Sequence, residues 1–474
     1  MIYQVSDRPG FSKTVVFAIQ QLLAIMAATL VVPIIVGNGM SPAAALFGAG
    51  VGTLVYLLFT KFKSPVFLGS SFAFISSMIA AFAGATSVAV GYLGILFGAV
   101  FAGLVYVIIA IIVKFAGVEW INKLMPPVVI GPTVAIIGLS LAGNAVGDLK
   151  NGDVMKEVVS LVVNTEGLLP TIEESVSLVS TAHPLIAILC GLVTLFTVIL
   201  CSTFGKKMMK LIPFIIGIGA GYAVALIFTV IGLATSNTAL QLIDFSYFTA
   251  LWADGVGIST FLEIPDFTFI KAFGAFGEID GAYIGTVAVA YVPVAFVVFA
   301  EHIADHKNIS SIIEKDLLAE PGLSRTLLGD GVGSMAGALF GGCPNTTYGE
   351  SVACVAITRN ASVITIFFAS VGAILISFLA PFVAIVNSIP SCVMGGVCIA
   401  LYGFIAVSGL KMINGVDLGE NKNLFVVSTI LICGIGGLVI NIGAVTITAI
   451  AVALILGIIV NLLLKNAKSE GSEE

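Results

Sequence analysis

Gly341-Gly342-Cys343-Pro344-Asn345-Thr346-Thr347-Tyr348-Gly349-Glu350 is a polar, helix-breaking passage set between apolar segments. It ends in a carboxylate, and no basic residue follows until Arg359. In hydrocarbon, irregular backbone and an unpaired carboxylate are tolerated only where they are buried in protein or line a wet cavity. The passage therefore reads as a site. Its pattern predicts a short extended run over Asn345–Tyr348 and a helix over Gly349–Thr358 that starts part-way through a membrane. The free N–H groups and positive dipole end of such a helix would face the cavity, which is the binding geometry of a transporter.

Composition sets the class around that stretch. The chain has 474 residues, 59% hydrophobic and 10% charged, with a mean hydropathy of +1.15. Those values exclude a soluble domain and point to an all-α polytopic membrane protein. The net charge of -6 says little, because its distribution over loops is what carries topological information. Seven cysteines form no CxxC pair and lie mostly inside apolar runs, which reads as buried small hydrophobes rather than metal or disulfide positions. The apolar run after Lys13 is too long for a signal-peptide core and reads as a first span.

With about 20 apolar residues per span as the template, eleven runs qualify, near 14–36, 42–60, 92–113, 126–146, 184–203, 211–234, 282–302, 362–385, 391–410, 423–440 and 444–464. Three shorter or Gly-broken segments, near 66–82, 327–341 and 346–358, bring the expectation to fourteen. Fourteen crossings with the N-terminus inside place all of the 20 basic residues except Lys150, Lys156 and Lys271 on the cytoplasmic side, in keeping with the positive-inside rule. That set includes Lys123, Lys465 and Lys468. The expected organisation is 1–146 (spans 1–5), an outer acidic loop 147–183, 184–234 (spans 6–7), an outer loop 235–281, 282–464 (spans 8–14) and a cytoplasmic tail 465–474. The outer loops carry Asp148, Asp153, Glu157, Glu166, Glu173, Glu174 and Asp244, Asp254, Glu263, Asp266, Glu278, Asp280, which read as solvated surface.

Seven spans per half is odd, so two halves of one fold would insert upside down relative to each other, as 7+7 inverted repeats. Ser70-Ser71-Phe72-Ala73, after the extended-looking Val66–Gly69, parallels Thr346-Thr347-Tyr348-Gly349. Each copy falls in the third segment of its seven, so short strands leading into half-helices are expected in segments 3 and 10.

Glu350 in its apolar setting reads as a substrate or proton site, because intramembrane carboxylates are costly to keep. Glu301 closes the apolar run Ala282–Ala300, where a plain cytoplasmic helix end and a site are both open. The run Glu301-His302-Ile303-Ala304-Asp305-His306 is dense in titratable groups, which favours proton handling. Its two His lack the surrounding HExxH pattern of zinc proteases, and no metal is expected. Gln21, Asn441 and Asp330 read as interhelical hydrogen-bond partners, His183 as interfacial, and Phe72 and Tyr402 as core aromatics.

Several stretches together resemble one family: Gln21–Pro33 (QLLAIMAATLVVP), Phe67–Ile75 (FLGSSFAFI), Ala300–His306 (AEHIADH), Asp316–Gly329 (DLLAEPGLSRTLLG), Pro344–Glu350 (PNTTYGE), Ala356–Arg359 (AITR) and Met394–Gly403 (MGGVCIALYG). They run through nearly the whole chain and resemble the nucleobase-cation symporters, in their uracil permease (uracil/xanthine permease) branch, with TTYGE as the specific motif. The resemblance implies a core domain of spans 1–4 and 8–11 moving against a gate domain of spans 5–7 and 12–14. It also implies a substrate site at Ala28, Phe72, Glu301, Tyr348, Gly349, Glu350 and Tyr402, with proton coupling through Glu301, Glu350 and His306. The chain departs from the family's pattern at Gln21, where His is common, at Asp305-His306, where His stands four residues after the Glu, and at Ser351-Val352-Ala353 in place of Asn-Ile-Gly.

The expected activity is then proton-coupled uptake of uracil by alternating access across the cytoplasmic membrane, with both termini inside. No cofactor, nucleic acid or enzymatic chemistry is expected; the partners are nucleobase, protons, lipid bilayer and, as an assembly, a homodimer. Xanthine or a broader nucleobase range is the alternative. An anion transporter or channel of the same fold is a further one, but it would favour a cationic side chain near the two motifs, and neither contains one.

Overall fold

The computed structural model describes residues 1–117, 120, 126–164, 171–253, 255–442 and 445–464. Lys123, Glu166, Asp254, Lys465, Lys468 and the tail 465–474 lie outside the described residues. The chain is predominantly helical. Eight helices among the described residues are long and apolar enough to cross a membrane, and five shorter apolar helices accompany them.

The chain divides into two compact units, Met1–Leu141 with Phe261–Val383 and Leu401–Glu474, and Ala142–Thr260 with Ala384–Ala400. In the first unit, α1 (Phe11–Val36) and α2 (Pro42–Phe59) lead to strand β1 (Leu68–Ser70), a 3-10 turn Phe72–Phe74 and α3 (Ile75–Ala83). The long α4 (Val88–Ala116) and α5 (Pro127–Ser140) follow.

The second unit opens with α6 (Ala142–Asp148), a hairpin of β2 (Met155–Asn164) and β3 (Thr171–Ser180), α7 (Pro184–Phe204) and α8 (Pro213–Ala234). His183 caps α7, its Nδ1 accepting from the Leu185 N–H at 3.3 Å. An apolar cluster of Ala182, Ala187, Cys190, Ala225, Leu242, Ile243, Cys392 and Val393 forms the core of this unit.

The chain returns to the first unit with α9 (Gly281–Ile313), α10 (Leu323–Gly341), β4 (Asn345–Thr347), α11 (Gly349–Thr358), α12 (Val363–Ile376) and α13 (Ala380–Asn387). Helix α14 (Ser391–Met412) begins in the second unit and continues into the first. The first unit ends with α15 (Asn421–Ile435), a small hairpin of β5 (Ile440–Ile442) and β6 (Val445–Ile447), and α16 (Ala449–Leu463).

Helix lengths depart from hydropathy in three places. The apolar run 362–385 is two helices, divided between Ile376 and Ala380 just ahead of Pro381, which has no N–H to continue the ladder. The runs 423–440 and 444–464 are shorter helices separated by the hairpin. There Gly437 turns at φ +70° and the β-branched Val445-Thr446-Ile447 favours strand. Asn441 accordingly accepts from Thr446 Oγ1 at 2.9 Å across that exposed hairpin, and is not an interhelical partner.

Small residues set the packing beneath the site. Helices α2 and α10 approach so closely that a Cβ at Gly48 would sit 2.4 Å from the Gly337 carbonyl oxygen and one at Gly341 2.6 Å from that of Ala44. Glycine stripes of this kind let backbones of membrane helices touch.

Candidate substrate site

The site begins with two three-residue strands. β1 and β4 pair antiparallel with Leu68 opposite Thr347, Gly69 opposite Thr346 and Ser70 opposite Asn345. Ser71 N–H donating to Pro344 O at 2.9 Å extends the ladder. So short a ribbon would not stand alone in water. Here side chains from the surrounding helices anchor its edges. Thr53 of α2 receives Leu68 N–H at 2.9 Å and lies 3.1 Å from Leu68 O, while Asn345 Nδ2 donates to Gly48 O at 3.0 Å.

The strands fix where their helices start. Tyr348 precedes α11, and no side chain caps that helix. The Tyr348 hydroxyl donates to Ser70 O at 2.6 Å, which lays its ring across β1. A Cβ at Gly69 would meet that ring at 2.3 Å, so only glycine fits there. Gln21 of α1 donates to Ser351 Oγ at 2.5 Å, and the same oxygen accepts Phe67 N–H at 3.0 Å. One hydroxyl thus ties α1, the approach to β1 and the first turn of α11 together, as expected of Gln21 as an interhelical partner.

Three carboxylates gather around this start. Glu350 is in the first turn of α11. Glu301 lies well inside α9, which runs on to Ile313, so the helix-end reading of that residue does not hold. Asp305 is four residues further along, on the same face. Asp305 Oδ2 accepts from Thr347 Oγ1 at 2.8 Å, and its Oδ1 stands 4.0 Å from where a Cβ on Gly349 would lie. Glu301 is within electrostatic reach of both Asp305 and Glu350. All three carboxylates are partly open and Gly349 is exposed.

Aromatic and small residues flank the carboxylates. Tyr348, Tyr402 and Ala28 are buried, and the Phe72 and Tyr402 rings meet edge to face at 6.4 Å and 78°. The two aromatics that composition alone assigns to the core therefore touch each other beside the strand pair. A donor N–H face at a helix start, carboxylate acceptors and ring walls can bind a small flat molecule that alternates N–H donors with carbonyl acceptors.

His302 and His306 turn away from the carboxylates. Thr326 donates its hydroxyl proton to Leu323 O at 3.0 Å, so at 3.0 Å from His302 Nε2 its oxygen accepts. The other nitrogen, Nδ1, lies 2.7 Å from Asp330 Oδ2, and the pair shares a proton between α9 and α10. His306 stacks on His302 at 4.0 Å, donates Nδ1–H to the His302 carbonyl at 2.8 Å and sets Nε2 2.7 Å from the Tyr56 hydroxyl, which in turn contacts Ser64 at 2.6 Å.

Sequence reasoning missed Asp305 and Thr347 as members of this group. The signal for Asp305 was available in its i+4 spacing from Glu301. The Thr347 contact depends on the strand pairing, which no local pattern encodes.

A model of the permease family matches residues 12–443. The uracil permease of Bacillus caldolyticus is 38% identical over 466 residues, covering 98% of this chain and 94% of that one. That of Bacillus subtilis (strain 168) is 38% identical over 477 residues, covering 99% and 96%. The uracil permease of Escherichia coli (strain K12) is 33% identical over 464 residues, covering 97% and 93%. Among solved structures, the transmembrane domain of a cyanobacterium bicarbonate transporter, BicA, matches with a TM-score of 0.59 at 13% identity, over 97% of this chain and 100% of that one. The murine Slc26a9 anion transporter in the inward-facing state matches with a TM-score of 0.62 at 9% identity, over 97% and 69%. At those identities the likeness is one of fold. With the family model spanning most of its length and relatives above 30% identity along nearly all of it, the chain belongs to the permease family and is a multi-pass membrane transport protein rather than an enzyme.

Proposed function

We propose that the chain takes up uracil across the cytoplasmic membrane in symport with protons, by alternating access. The observation that carries the reading is the grouping of Glu301, Asp305 and Glu350 around the uncapped start of α11. Uracil is neutral near pH 7 and presents ring N–H groups next to carbonyls. In this reading Glu301 and Glu350 accept the N–H groups, while backbone N–H groups near Phe72 and Gly349 donate to the carbonyls. Ala28, Phe72, Tyr348 and Tyr402 supply the walls. The names of the full-length relatives support uracil over xanthine or a broader nucleobase range. An anion substrate would call for a cation at the strand pair, and neither 66–74 nor 344–350 contains Lys or Arg.

The remaining architecture is part of the same proposal. Fourteen segments in two inverted sets of seven would place both termini and the short basic loops in the cytoplasm. The two strand–helix passages would then be broken segments 3 and 10, and spans 1–4 and 8–11 would move as a core against spans 5–7 and 12–14, in a homodimer. Coupling runs through Glu301 and Glu350, where carboxylates share one partly open space and a proton relieves their mutual repulsion. His306 takes part from behind, because both its ring nitrogens are engaged by His302 and Tyr56.

The test is uptake of labelled uracil into proteoliposomes with an imposed pH gradient, acidic outside. Gradient-dependent accumulation is expected, with a loss of about 100-fold or more in Glu301→Gln, where the charged partner for a ring N–H is replaced. Accumulation that ignores the gradient, or that survives the substitution, would refute the coupling.

A further inference from the structure

Sequence alone treats the seven cysteines as buried small hydrophobes, but two of them meet. Cys190, on α7, and Cys392, in the first turn of α14, are both 0% exposed inside the apolar cluster of the second unit. Their thiols are hydrogen-bonded to one another. The backbones behind them run close. A Cβ at Gly191 would lie 2.5 Å from the Cys392 carbonyl oxygen, and one at Gly396 2.2 Å from that of Gly191. Two helices crossing this tightly set the two thiols against each other, the juxtaposition from which a disulfide can form. Other cysteines have different company: Cys343 is engaged by Ser70 and Cys354 by Thr358.

The setting adds an argument from compartment. Ser391, immediately before Cys392, is held by Asp153, which accepts its N–H at 2.9 Å and its hydroxyl at 2.6 Å. Ala182 and Leu242, from the segments that flank α7 and follow α8, belong to the same apolar cluster as the thiols. Asp153 and Ala182 belong to the stretch 147–183 and Leu242 to 235–281, the two loops that the fourteen-crossing reading assigns to the outer side. Thiols on that side meet disulfides rather than the reducing pool of the cytosol.

We propose that Cys190 and Cys392 form a disulfide that pins the start of α14 to α7 on the outer side of the membrane. The step is thiol–disulfide exchange with a small-molecule disulfide, RSSR. One thiol, losing its proton, attacks a sulfur of RSSR to form a mixed disulfide and release one RSH. The second thiol then displaces the remaining RS group as a second RSH. Two S–H bonds are lost and one S–S bond forms, and the oxidant is reduced by two electrons while taking up both protons. The inference rests on the outward assignment of these loops and not on the identity of the substrate.

The experiment uses full-length protein purified without reductant and treated with oxidised glutathione or with diamide, a small membrane-permeant thiol oxidant. The protein is then unfolded in acid, alkylated with N-ethylmaleimide and digested for mass spectrometry. The expected result is a peptide cross-linked between Cys190 and Cys392, with two fewer alkylated thiols than the seven of the reduced chain. The apparent melting temperature of the oxidised protein should exceed that of a dithiothreitol-treated sample by several degrees, a difference absent in Cys190→Ser and in Cys392→Ser. A variant with the other five cysteines replaced by alanine should give the same cross-link, which keeps the test valid if either serine variant fails to fold. Full alkylation after diamide, a cross-link between other cysteines, or equal melting temperatures with and without dithiothreitol would overturn the proposal.

Discussion

Two helix starts in this protein are built in opposite ways. Helix α14 begins at Ser391, whose N–H and hydroxyl are both held by the carboxylate of Asp153, a residue 238 positions earlier in the chain. Helix α11 begins at Gly349 with no side-chain cap, an exposed glycine and carboxylates in front of it. The first start is closed by the protein itself. In the proposed function the second is the start a ligand would complete, and its position is held by a strand pair, the Tyr348 ring on Gly69 and the Gln21–Ser351 bond. Helix starts with polar groups arranged but uncapped are where a ligand gains the most from binding.

The contrast can be broken at the open start with Gly69→Ala. Its methyl group would press on the Tyr348 ring and shift the residue that leads into α11. We expect uptake to fall by about tenfold or more, with a stability cost of about 1–3 kcal/mol from overpacking. Normal uptake in a normally folded Gly69→Ala protein would show that the placement of Tyr348 is not critical.

At the closed start the effects are smaller. Asp153→Ala removes the cap of α14 and should lower stability by about 1–2 kcal/mol, read as a lower melting temperature, while Asp153→Asn keeps an oxygen acceptor and should cost less. The pH dependence sharpens this. Burial pushes the Asp153 carboxyl above its usual range, the Ser391 hydrogen bonds pull it back, and nearby Asp244 adds to the rise. Asp148 lies within electrostatic reach as well. A carboxyl raised on folding contributes stability that is fully present below its unfolded pKa of about 4 and is lost as pH climbs through the folded value. The melting temperature should therefore decline with rising pH across that window, and less steeply in Asp153→Asn. An equal slope in the two proteins would remove Asp153 as a source.

What the sequence made legible follows from distance along the chain. The polytopic class came from composition, and the local form of residues 345–358 came from Pro344, the hydroxyls and Gly349 interrupting an apolar run. Glu350 stood out because a carboxylate among apolar residues is rare. Asp305 read as one titratable group of the run Glu301–His306 and as a departure from a family pattern, but not as a site residue, although its spacing from Glu301 put both on one helix face. The facing directions of His302 and His306, the Thr347–Asp305 bond, the Asp153 cap and the Cys190–Cys392 contact join segments far apart in sequence, and no local periodicity reports such pairings. Hydropathy also overran the helices: at 362–385 because an apolar run hides the break ahead of Pro381, and at 423–464 because β-branched apolar residues satisfy a span template whether they end up in helix or strand.

The central claim is that the carboxylates at the open start of α11 hold the substrate. Its most direct test is equilibrium binding of uracil to purified protein, wild type beside Glu301→Gln and Glu350→Gln, followed by ligand-induced thermal stabilisation. The account predicts a clear rise in melting temperature for the wild type and a loss of affinity of about tenfold or more in each variant, since each leaves a ring N–H without its charged acceptor. Wild-type affinity for uracil in both folded variants would contradict it.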